Sequence, residues 1–543
     1  MTRSTSGDGE MRTLRAELEA AKRVRRLIVA TDEALEAASR ARAPLDRALG
    51  RLLPLAAEEL GARGMLVRTY DESLALHDFR HGDTEGVDGA TFQQALNAGE
   101  VPPEVAARET LSMRLDVAGE DFGVALAIFD RALEAGEREA LLELLEAWAE
   151  VLDNYLDAIA HARQKHRIIQ ALSDALREPI LDRGIALAVK VLAETISVGE
   201  MLLVFHHEDD HAGTTLSYKR VRGGEITHDS GAPRDAALHG TLRDEAASFL
   251  GGEDSRLLER FGLVDAPEEI LINGVRDRRV VGRLVMTNEA REFNTFDRDL
   301  LASFADFLRQ RIVDFNREWK QLSLCFAPQA VERLLRVEGY AEALLSPQER
   351  EVAVLFCDIS GFTRISEQVL RRPPLIGALI NHWSAAVVQI LWETGGVFDK
   401  MVGDCVIGLW GPPFFEEEPA TLCARALGAA ERIRDITKTL NDGVAMPELA
   451  NLETPIGVAT GLNYCPLFVG RFGPNEDYTG FSSGMNNAAR LQGVAERDEI
   501  LCMEEFVSAL GLPERFGPPL AAKVKNVAEP LRYRSLRDEE PKG

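Results

Sequence analysis

The chain has 543 residues, of which 45% are hydrophobic and 28% are charged, and its formal net charge is −26. A chain of this length usually folds into several domains, and an acidic chain repels phosphate backbones and anionic lipid headgroups, so we expect neither nucleic acid nor a membrane as a partner. The six cysteines form no CxxC pair, which favours reduced thiols over a zinc site. We find no apolar run long enough to span a membrane and no secretory signal, and therefore expect a cytoplasmic protein.

The first part of the chain is predicted to contain a helix at 1–40 and a compact α/β unit at 41–160. Amphipathic spacing predicts the helices, and short apolar runs predict the strands. The unit has a helix at LDRALGRLLPLAAEEL, strands at MLVRTY, LSMRLDV and GVALAIF, and a long closing helix that starts near Glu137.

The closing helix carries an apolar heptad pattern over four heptads. The pattern consists of Trp148, Leu152, Tyr155, Ile159, Ala162, His166, Ile169 and Leu176. Such spacing is typical of a coiled-coil seam and predicts that the helix pairs with its twin in a homodimer. The alternative is an ordinary amphipathic helix packed on its own unit.

Residues 161–318 repeat the order of helix, strands, variable middle, strands and helix. This order resembles the GAF small-molecule sensor domain, and the unit at 41–160 resembles it less closely. GAF domains that bind cyclic nucleotides carry an Asn-Lys…Phe-x-x-x-Asp-Glu signature. Three positions match it and two reverse the charge; the matches are Asn288, Phe293 and Asp297, and the departures are Glu289 and Arg298. Cyclic-nucleotide binding is therefore not predicted, the ligand stays unidentified, and a purely dimerising role is the alternative.

The chemistry-bearing residues lie in the last third of the chain. An apolar strand at Val352–Phe356 leads to Asp358, a Ser-Gly turn and a helix, an arrangement that suits a cation-bound phosphate because the carboxylate holds the cation and free amides face the anion. Alone, Asp358 is equally well explained as a helix cap. A second acidic turn, at Gly403-Asp404, is predicted at the tip of a β-hairpin formed by two apolar runs, around Val397–Val402 and Cys405–Trp410. Paired carboxylates of this kind hold two divalent ions.

A third segment has strand–Gly–strand character and ends in a helix. Asn486 and Arg490 are four residues apart and so share one face of this helix. An arginine is suited to stabilising the charge of a phosphoryl transition state, although an exposed surface pair is the commoner reason for such spacing.

Together the three segments resemble the catalytic domain of class III adenylyl and guanylyl cyclases. The motifs are F-x-D-I-x-G-F-T, G-G-x-x-x-K-x-x-G-D and Y-T-(x)6-N-x-x-x-R-L, in that order, within residues 346–540. The resemblance implies a ferredoxin-like α/β catalytic domain that dimerises head to tail, with active sites at the dimer interface. It follows two GAF-like α/β domains joined by long helices, and residues 319–345 resemble the helical transducer found before such domains.

The resemblance also implies roles for individual residues. Asp358 and Asp404, helped by the Ile359 carbonyl, would hold two Mg²⁺ or Mn²⁺ ions. Asn486 would orient the ribose, and Arg490 would stabilise the pentavalent α-phosphate. The remaining substrate-binding positions are Lys400, Thr479, Lys525, Gly361, Phe362 and Thr363.

Two of these positions concern the purine. Lys400 would donate to adenine N1, and the Thr479 hydroxyl would accept from the 6-amino group, whereas guanylyl cyclases tend to have Glu and Cys at these positions. The resemblance therefore favours ATP as substrate. We expect the carboxylates and Lys400 to come from one protomer and Thr479, Asn486 and Arg490 from its partner.

One departure from the family pattern lies in the loop before Asn486. The family usually has a Gly-Asp pair where this chain has Ser482-Ser483, while the length of the loop is kept. The predicted function is an adenylate cyclase regulated by GAF-like sensors. The alternatives are a guanylate cyclase and a catalytically silent, nucleotide-binding signalling module.

Overall fold

The computed structural model describes residues 5–537 apart from 72–74, 106–107, 118, 197, 208–214, 231–235, 252–255, 264–267, 274–279, 289–291, 451 and 524–529. The chain divides into two compact units, Met1–Ile168 and Ile169–Gly543.

The first unit is built from a four-stranded sheet and helices, in the element order that the sequence predicts. The elements are α1 (Thr5–Arg40), α2 (Leu45–Leu60), β1 (Gly64–Tyr70), β2 (Leu76–Gly82), α3 (Gly89–Ala98), β3 (Glu109–Val117), β4 (Glu120–Phe129) and α4 (Ala135–Leu176). The sheet is antiparallel with the order β2-β1-β4-β3. The sequence did not predict β2 and α3, because their polar residues show no clear apolar period.

The heptad pattern of α4 begins inside the core of this unit. Trp148 and Leu152 have no solvent exposure and belong to the unit's hydrophobic core, against which Tyr155 and Ile159 also pack. The prediction of an intermolecular seam is therefore wrong at Trp148 and Leu152, since these two side chains have no surface left for a partner helix. The amphipathic alternative applies there.

The second unit begins with a five-stranded antiparallel sheet of order β7-β6-β5-β9-β8. The elements are α5 (Leu181–Thr195), β5 (Val198–His207), β6 (Thr215–Arg222), β7 (Glu225–Asp229), α6 (Ala236–Leu250), α7 (Arg256–Phe261), β8 (Glu268–Asn273), β9 (Val280–Asn288) and α8 (Thr295–Leu322). On β6 the buried ammonium of Lys219 lies between two carboxylates, 2.7 Å from Asp182 and 3.0 Å from Asp229.

The three residues that match the GAF signature have local structural roles here. The Asn288 side chain donates to the carbonyl of Glu292 at 3.0 Å, and Phe293 is buried. Asp297 completes the capping box that starts α8, paired with Asn294. These contacts give all three residues a structural role in the turn between β9 and α8, and that role does not require a ligand.

Helices α9 (Pro328–Leu334) and α10 (Tyr340–Leu344) lead to the last part of the chain. Its α-helices and strands are β10 (Gln348–Ile359), α11 (Phe362–Arg364), α12 (Pro373–Glu393), β11 (Val397–Val402), β12 (Cys405–Trp410), α13 (Pro419–Thr439), β13 (Val458–Phe472), β14 (Asp477–Phe481), α14 (Ser483–Gln492), β15 (Ile500–Met503), α15 (Glu504–Leu510), β16 (Leu520–Ala522) and β17 (Leu531–Ser535). A π-helix spans Ile365–Leu370, and 3-10 turns span Leu440–Asp442, Pro447–Leu449 and Pro513–Arg515.

Seven of these strands form a path of order β11-β12-β10-β13-β15-β17-β16, and β14 pairs with β13. Among the described strand pairs of this sheet, β13 and β15 are the parallel one. Alternate residues of β10 face opposite sides of the sheet. On one side, Leu355 and Cys357 join a core with α12, α13 and α15. On the other side, Val352 and Val354 join a core with α14 and with Phe326 and Val331 of the linker, residues 319–345. The linker therefore packs directly on the sheet.

Helix α12 is, among the residues described, the one helix long and apolar enough to cross a membrane by length and composition. One face of it, with Leu379 and Val387, is buried in the core of the sheet. On the same face Trp383 donates from Nε1 to the Thr437 hydroxyl of α13 at 2.8 Å. The buried side chains of the helix are Leu379, Trp383, Val387, Ile390 and Leu391, and 28% of its apolar window is buried.

Candidate active site

Two carboxylates meet where the central strand ends. Strand β10 pairs antiparallel with β12, with Cys357 opposite Val406. This register brings the turn between β11 and β12 next to Asp358, and Gly403 (φ 67°) provides the left-handed backbone that the turn requires. The sequence predicted this hairpin and its acidic tip, and the structure brings Asp358 and Asp404 together as expected.

The electrostatics of this pair favour a bound cation. Burial, together with the hydrogen bond to and the repulsion from neighbouring Asp404, raises the pKa of Asp358 to about 7. Two facing carboxylates are stable together only when they share a proton or hold a positive charge between them. Carboxylate oxygens are the ligands that Mg²⁺ and Mn²⁺ prefer. No cluster of three or more metal-binding side chains occurs in the described part of the chain, so the two aspartates fit a divalent ion that also takes oxygens from the backbone and the substrate.

The turn after Asp358 differs in detail from the predicted helix. Gly361 has a left-handed backbone (φ 74°), and α11 is a single turn that passes into the π-helix Ile365–Leu370. Phe362 packs against the core, whereas Thr363 is exposed and its carbonyl accepts from Ser366. Gly361–Thr363 thus lie beside the carboxylates, but on a tight irregular turn.

Lys400 and Thr479 form a second cluster within the same chain. The Lys400 ammonium donates to the Thr479 hydroxyl across 2.7 Å, and the ammonium also lies 5.8 Å from the ring centre of Phe481. The expectation that Lys400 and Thr479 act from different protomers is therefore wrong. Strands β11 and β14 lie close enough for one protomer to supply both residues.

Helix α14 carries Asn486 and Arg490, and Ser482 supplies its N-cap. The Ser482 hydroxyl accepts from the backbone N–H of Met485 at 3.0 Å. The next turn fits tightly on β13, since a Cβ at Gly484 would lie 2.5 Å from the Cβ of Cys465. The departure from the usual Gly-Asp pair thus keeps a capped helix in register.

Asn486 is exposed, and Arg490 is partly buried. Arg490 donates to the side chain of Asn487 on the same helix at 3.1 Å. In the described part of the chain, no hydrogen bond or ion pair connects Asn486 or Arg490 to Lys400 or to the two aspartates. Lys525 lies outside the described residues, as does most of the loop between β16 and β17.

The structure adds two features that the sequence analysis missed. Asp399, next to Lys400, is buried; the signal was a carboxylate inside an otherwise apolar strand. Three phenylalanines form a partly exposed cluster beside Lys400, with ring centres 5.4 Å (Phe468 and Phe472) and 5.1 Å (Phe472 and Phe481) apart. Phe468 and Phe481 are 48% and 54% exposed, which is unusual for side chains of this size.

Comparison with known families identifies the type of domain that contains these residues. Residues 344–519 match the family model described as the adenylate and guanylate cyclase catalytic domain. These residues are therefore an adenylate/guanylate cyclase catalytic domain, and the mixed α/β cyclase fold predicted from the motifs is confirmed.

Individual relatives match over the same region. An adenylate cyclase of Anabaena cylindrica is 28% identical over 212 residues, which are 38% of this chain and 39% of the relative. An uncharacterized protein of Mycobacterium bovis is 33% identical over 186 residues, which are 33% of this chain and 31% of the relative. The chain thus spans less than two fifths of the length of these curated relatives.

Two solved structures are similar over about a third of the chain. The adenylyl cyclase CyaB from P. aeruginosa is 26% identical, with 36% of this chain and 98% of that chain covered and a TM-score of 0.33. The guanylyl cyclase Cya2 is 19% identical, with 35% and 93% covered and a TM-score of 0.31.

Proposed function

We propose that this protein is an adenylate cyclase, which converts ATP to 3′,5′-cyclic AMP and pyrophosphate. The observation that carries the proposal is the pairing of Asp358 with Asp404 at the edge of a cyclase catalytic domain. The ribose 3′-oxygen attacks the α-phosphorus, the bond from this phosphorus to the oxygen of the leaving pyrophosphate breaks, and the 3′-hydroxyl proton goes to solvent.

Asp358, Asp404 and the carbonyl of Ile359 would hold two divalent ions, Mg²⁺ or Mn²⁺. When bound, such ions lower the pKa of the attacking hydroxyl and neutralise charge on the phosphates. The protein's own contribution is to place the two carboxylates at the end of a rigid central strand, so that the attacking and leaving oxygens are held in line. The backbone at Gly361, Phe362 and Thr363 would line the triphosphate, as would Lys525.

The proposal for ATP over GTP depends on hydrogen-bond polarity. Lys400 has only donors, which match the acceptor N1 of adenine, while N1 of guanine is itself a donor. The Thr479 hydroxyl can accept from the adenine 6-amino group. The contact of 2.7 Å between these two side chains supports their acting as one purine-reading pair.

The remaining catalytic roles fall to α14. Arg490 would stabilise the negative charge that develops on the α-phosphate oxygens, since a guanidinium offers several donors in fixed geometry. Asn486, one turn earlier on the same helix, would hold the ribose.

We further propose that the active site forms between two copies of the chain. The aspartate pair and the Lys400–Thr479 pair are separate clusters in one chain, so each copy would supply the carboxylates of one site and the purine-reading pair and α14 of the other. The exposed phenylalanine cluster next to Lys400 supports this, because a second copy would cover its apolar surface.

The two α/β units at 41–160 and 161–318 are proposed to act as GAF-like sensors, with a small-molecule ligand of unidentified chemistry, in a cytoplasmic protein. The linker offers a physical route from residues 161–318 to the site. The carbonyl of Cys325 accepts from the backbone N–H of Phe398 at 2.9 Å and from Trp392 Nε1 at 3.2 Å. A shift of the linker would therefore move the strand that carries Lys400.

The test is cyclic nucleotide formation by the purified full-length protein from ATP and from GTP, with Mg²⁺ and with Mn²⁺. We expect cyclic AMP as the main product and a loss of at least about a hundredfold in Asp404→Ala, since the metal site is removed. Cyclic GMP as the main product would replace the proposal with a guanylate cyclase. Tight nucleotide binding without any product would replace it with a silent signalling module.

A further inference from the structure

Asp399 occupies an extra position in its strand. The pairing of β11 with β12 shifts between Phe398, which lies opposite Gly408, and Lys400, which lies opposite Ile407. Asp399 is thus the unpaired residue of a β-bulge. A bulge changes the direction of the side chains around it, and here Asp399 and Lys400, although adjacent in sequence, both lie next to Thr479.

The carboxylate of Asp399 is buried without a full partner. The residue is 7% exposed, and its side chain is 0% exposed. Neither oxygen accepts a hydrogen bond of good geometry from a described residue, although Thr479 and Lys400 lie close enough to interact with the carboxylate. The nearest positive charge is Lys400, whose ammonium lies 3.6 Å from one oxygen. Burial raises the pKa of Asp399, while Thr479 and Lys400 oppose this effect. A buried, incompletely paired carboxylate is costly to the fold, and its surroundings are the purine-reading pair.

We propose that Asp399 is a specificity-determining positioning residue, which orients the Thr479 hydroxyl so that it presents a lone pair, and no hydrogen, to the substrate's base. This inference deepens the proposed function and rests on it.

The three side chains differ in the hydrogens and lone pairs that they offer for hydrogen bonding. A threonine hydroxyl has one hydrogen and two lone pairs, and a lysine ammonium has three hydrogens and no lone pair. Lys400 therefore takes up a lone pair of Thr479 and cannot receive its hydrogen, whereas the Asp399 carboxylate can. With its hydrogen turned toward Asp399, Thr479 accepts from the 6-amino group of adenine and repels the 6-oxo group of guanine.

The test compares Asp399→Asn with the wild-type full-length protein. We expect the ratio of kcat/KM for ATP to that for GTP to fall by at least about tenfold, as when a site built for one hydrogen-bond pattern loses it. The change should appear mainly in KM for ATP, with kcat little altered. Asp153→Asn is the matched control, because Asp153 is also a buried carboxylate with an unpartnered oxygen, on α4 of the first unit; the ratio should not change in that variant.

Equilibrium binding of 3′-deoxy-ATP and 3′-deoxy-GTP, which lack the attacking hydroxyl, separates this inference from the proposed function. If the wild type prefers the adenine analogue and Asp399→Asn loses the preference, the inference holds even when no product forms. A folded Asp399→Asn protein that keeps the preference would overturn it, as would a wild type without any preference.

A double-mutant cycle tests whether Asp399 acts through Thr479. In a Thr479→Val background, which lacks the hydroxyl, Asp399→Asn should have no further effect on the ratio. If Asp399→Asn fails to fold, the single variant Thr479→Val tests the inference. An unchanged preference for the adenine analogue in Thr479→Val would contradict it.

Discussion

Asp358 lies beside Asp404 in a partly buried site, where burial and the charge of Asp404 make ionisation of Asp358 less favourable. With a pKa of about 7, Asp358 is protonated in much of the protein at neutral pH when no cation is bound. Its folded-state pKa is raised above its ordinary value, so its contribution to stability is present at low pH and is lost as the pH rises through about 7. A divalent cation must displace this proton, and binding is therefore coupled to pH.

We predict that the affinity for Mn²⁺ rises by up to about tenfold per pH unit between pH 6 and pH 7 and levels off above, because one proton is released per site. Titration calorimetry in two buffers of different ionisation enthalpy measures both the affinity and the proton release. In Asp404→Asn the affinity should be weaker and its rise with pH should move to lower pH without disappearing, because burial, the largest cause of the raised pKa of Asp358, remains. A wild-type affinity that is constant over this range would contradict the shared-proton description.

At the scale of single elements, the hairpin β11–β12 and the helix α14 decide where the site residues lie. The sequence predicted both strands of the hairpin within their observed bounds, Val397–Val402 and Cys405–Trp410, because apolar runs around Gly-Asp leave few alternatives. It did not predict the bulge at Asp399, because a bulge depends on how the partner strand and the linker pack.

The N-cap of α14 leads to a prediction about local stability. Replacing Ser482 by Ala removes the hydroxyl that accepts from Met485, which should cost about 1 kcal/mol. Hydrogen exchange of amides in Ser483–Gln492 should then speed up by about fivefold. Ser483→Ala is the control, because Ser483 is exposed and lies inside the helix. Equal exchange in both variants would show that the cap does not limit the opening of α14.

At the scale of the whole molecule, the division of site residues between two copies can be tested by mixing inactive variants. Asp404→Ala destroys the aspartate cluster, and Lys400→Ala destroys the purine-reading pair. If these clusters come from different copies, a mixed dimer contains one intact site, and an equal mixture should recover about a quarter of wild-type activity. The assay is cyclic AMP formation after unfolding and refolding the two variants together.

The control mixture combines Asp404→Ala with Asp358→Ala, which damage the same cluster and should remain inactive together. If Asp404→Ala and Lys400→Ala also fail to complement, while each still forms dimers, then both residues serve the same site from one copy. That result would contradict the proposal that the carboxylates and the purine-reading pair of one site come from different copies.

The sequence by itself determined the catalytic domain, and it predicted most of the residues of the candidate site. Short motifs contain Asp358, Asp404, Lys400 and Thr479. The order and spacing of these motifs can be read from the sequence without knowing how the chain packs. Strands and helices were also predictable wherever apolar residues repeat with a clear period. Polar elements such as β2, α3 and β7 were not predicted, because contacts with neighbouring strands and helices stabilise them and leave no apolar period in their sequence.

Only the tertiary structure decided which residues meet. Lys400 and Thr479 are 79 residues apart in sequence, so their contact depends on the sheet order and not on local pattern. Burial is likewise a property of the packed chain: it placed Trp148 and Leu152 in the core of their own unit and left the carboxylate of Asp399 beside the Thr479 hydroxyl. A heptad pattern or an acidic residue fixes what a side chain can do, and the surrounding fold determines what it touches.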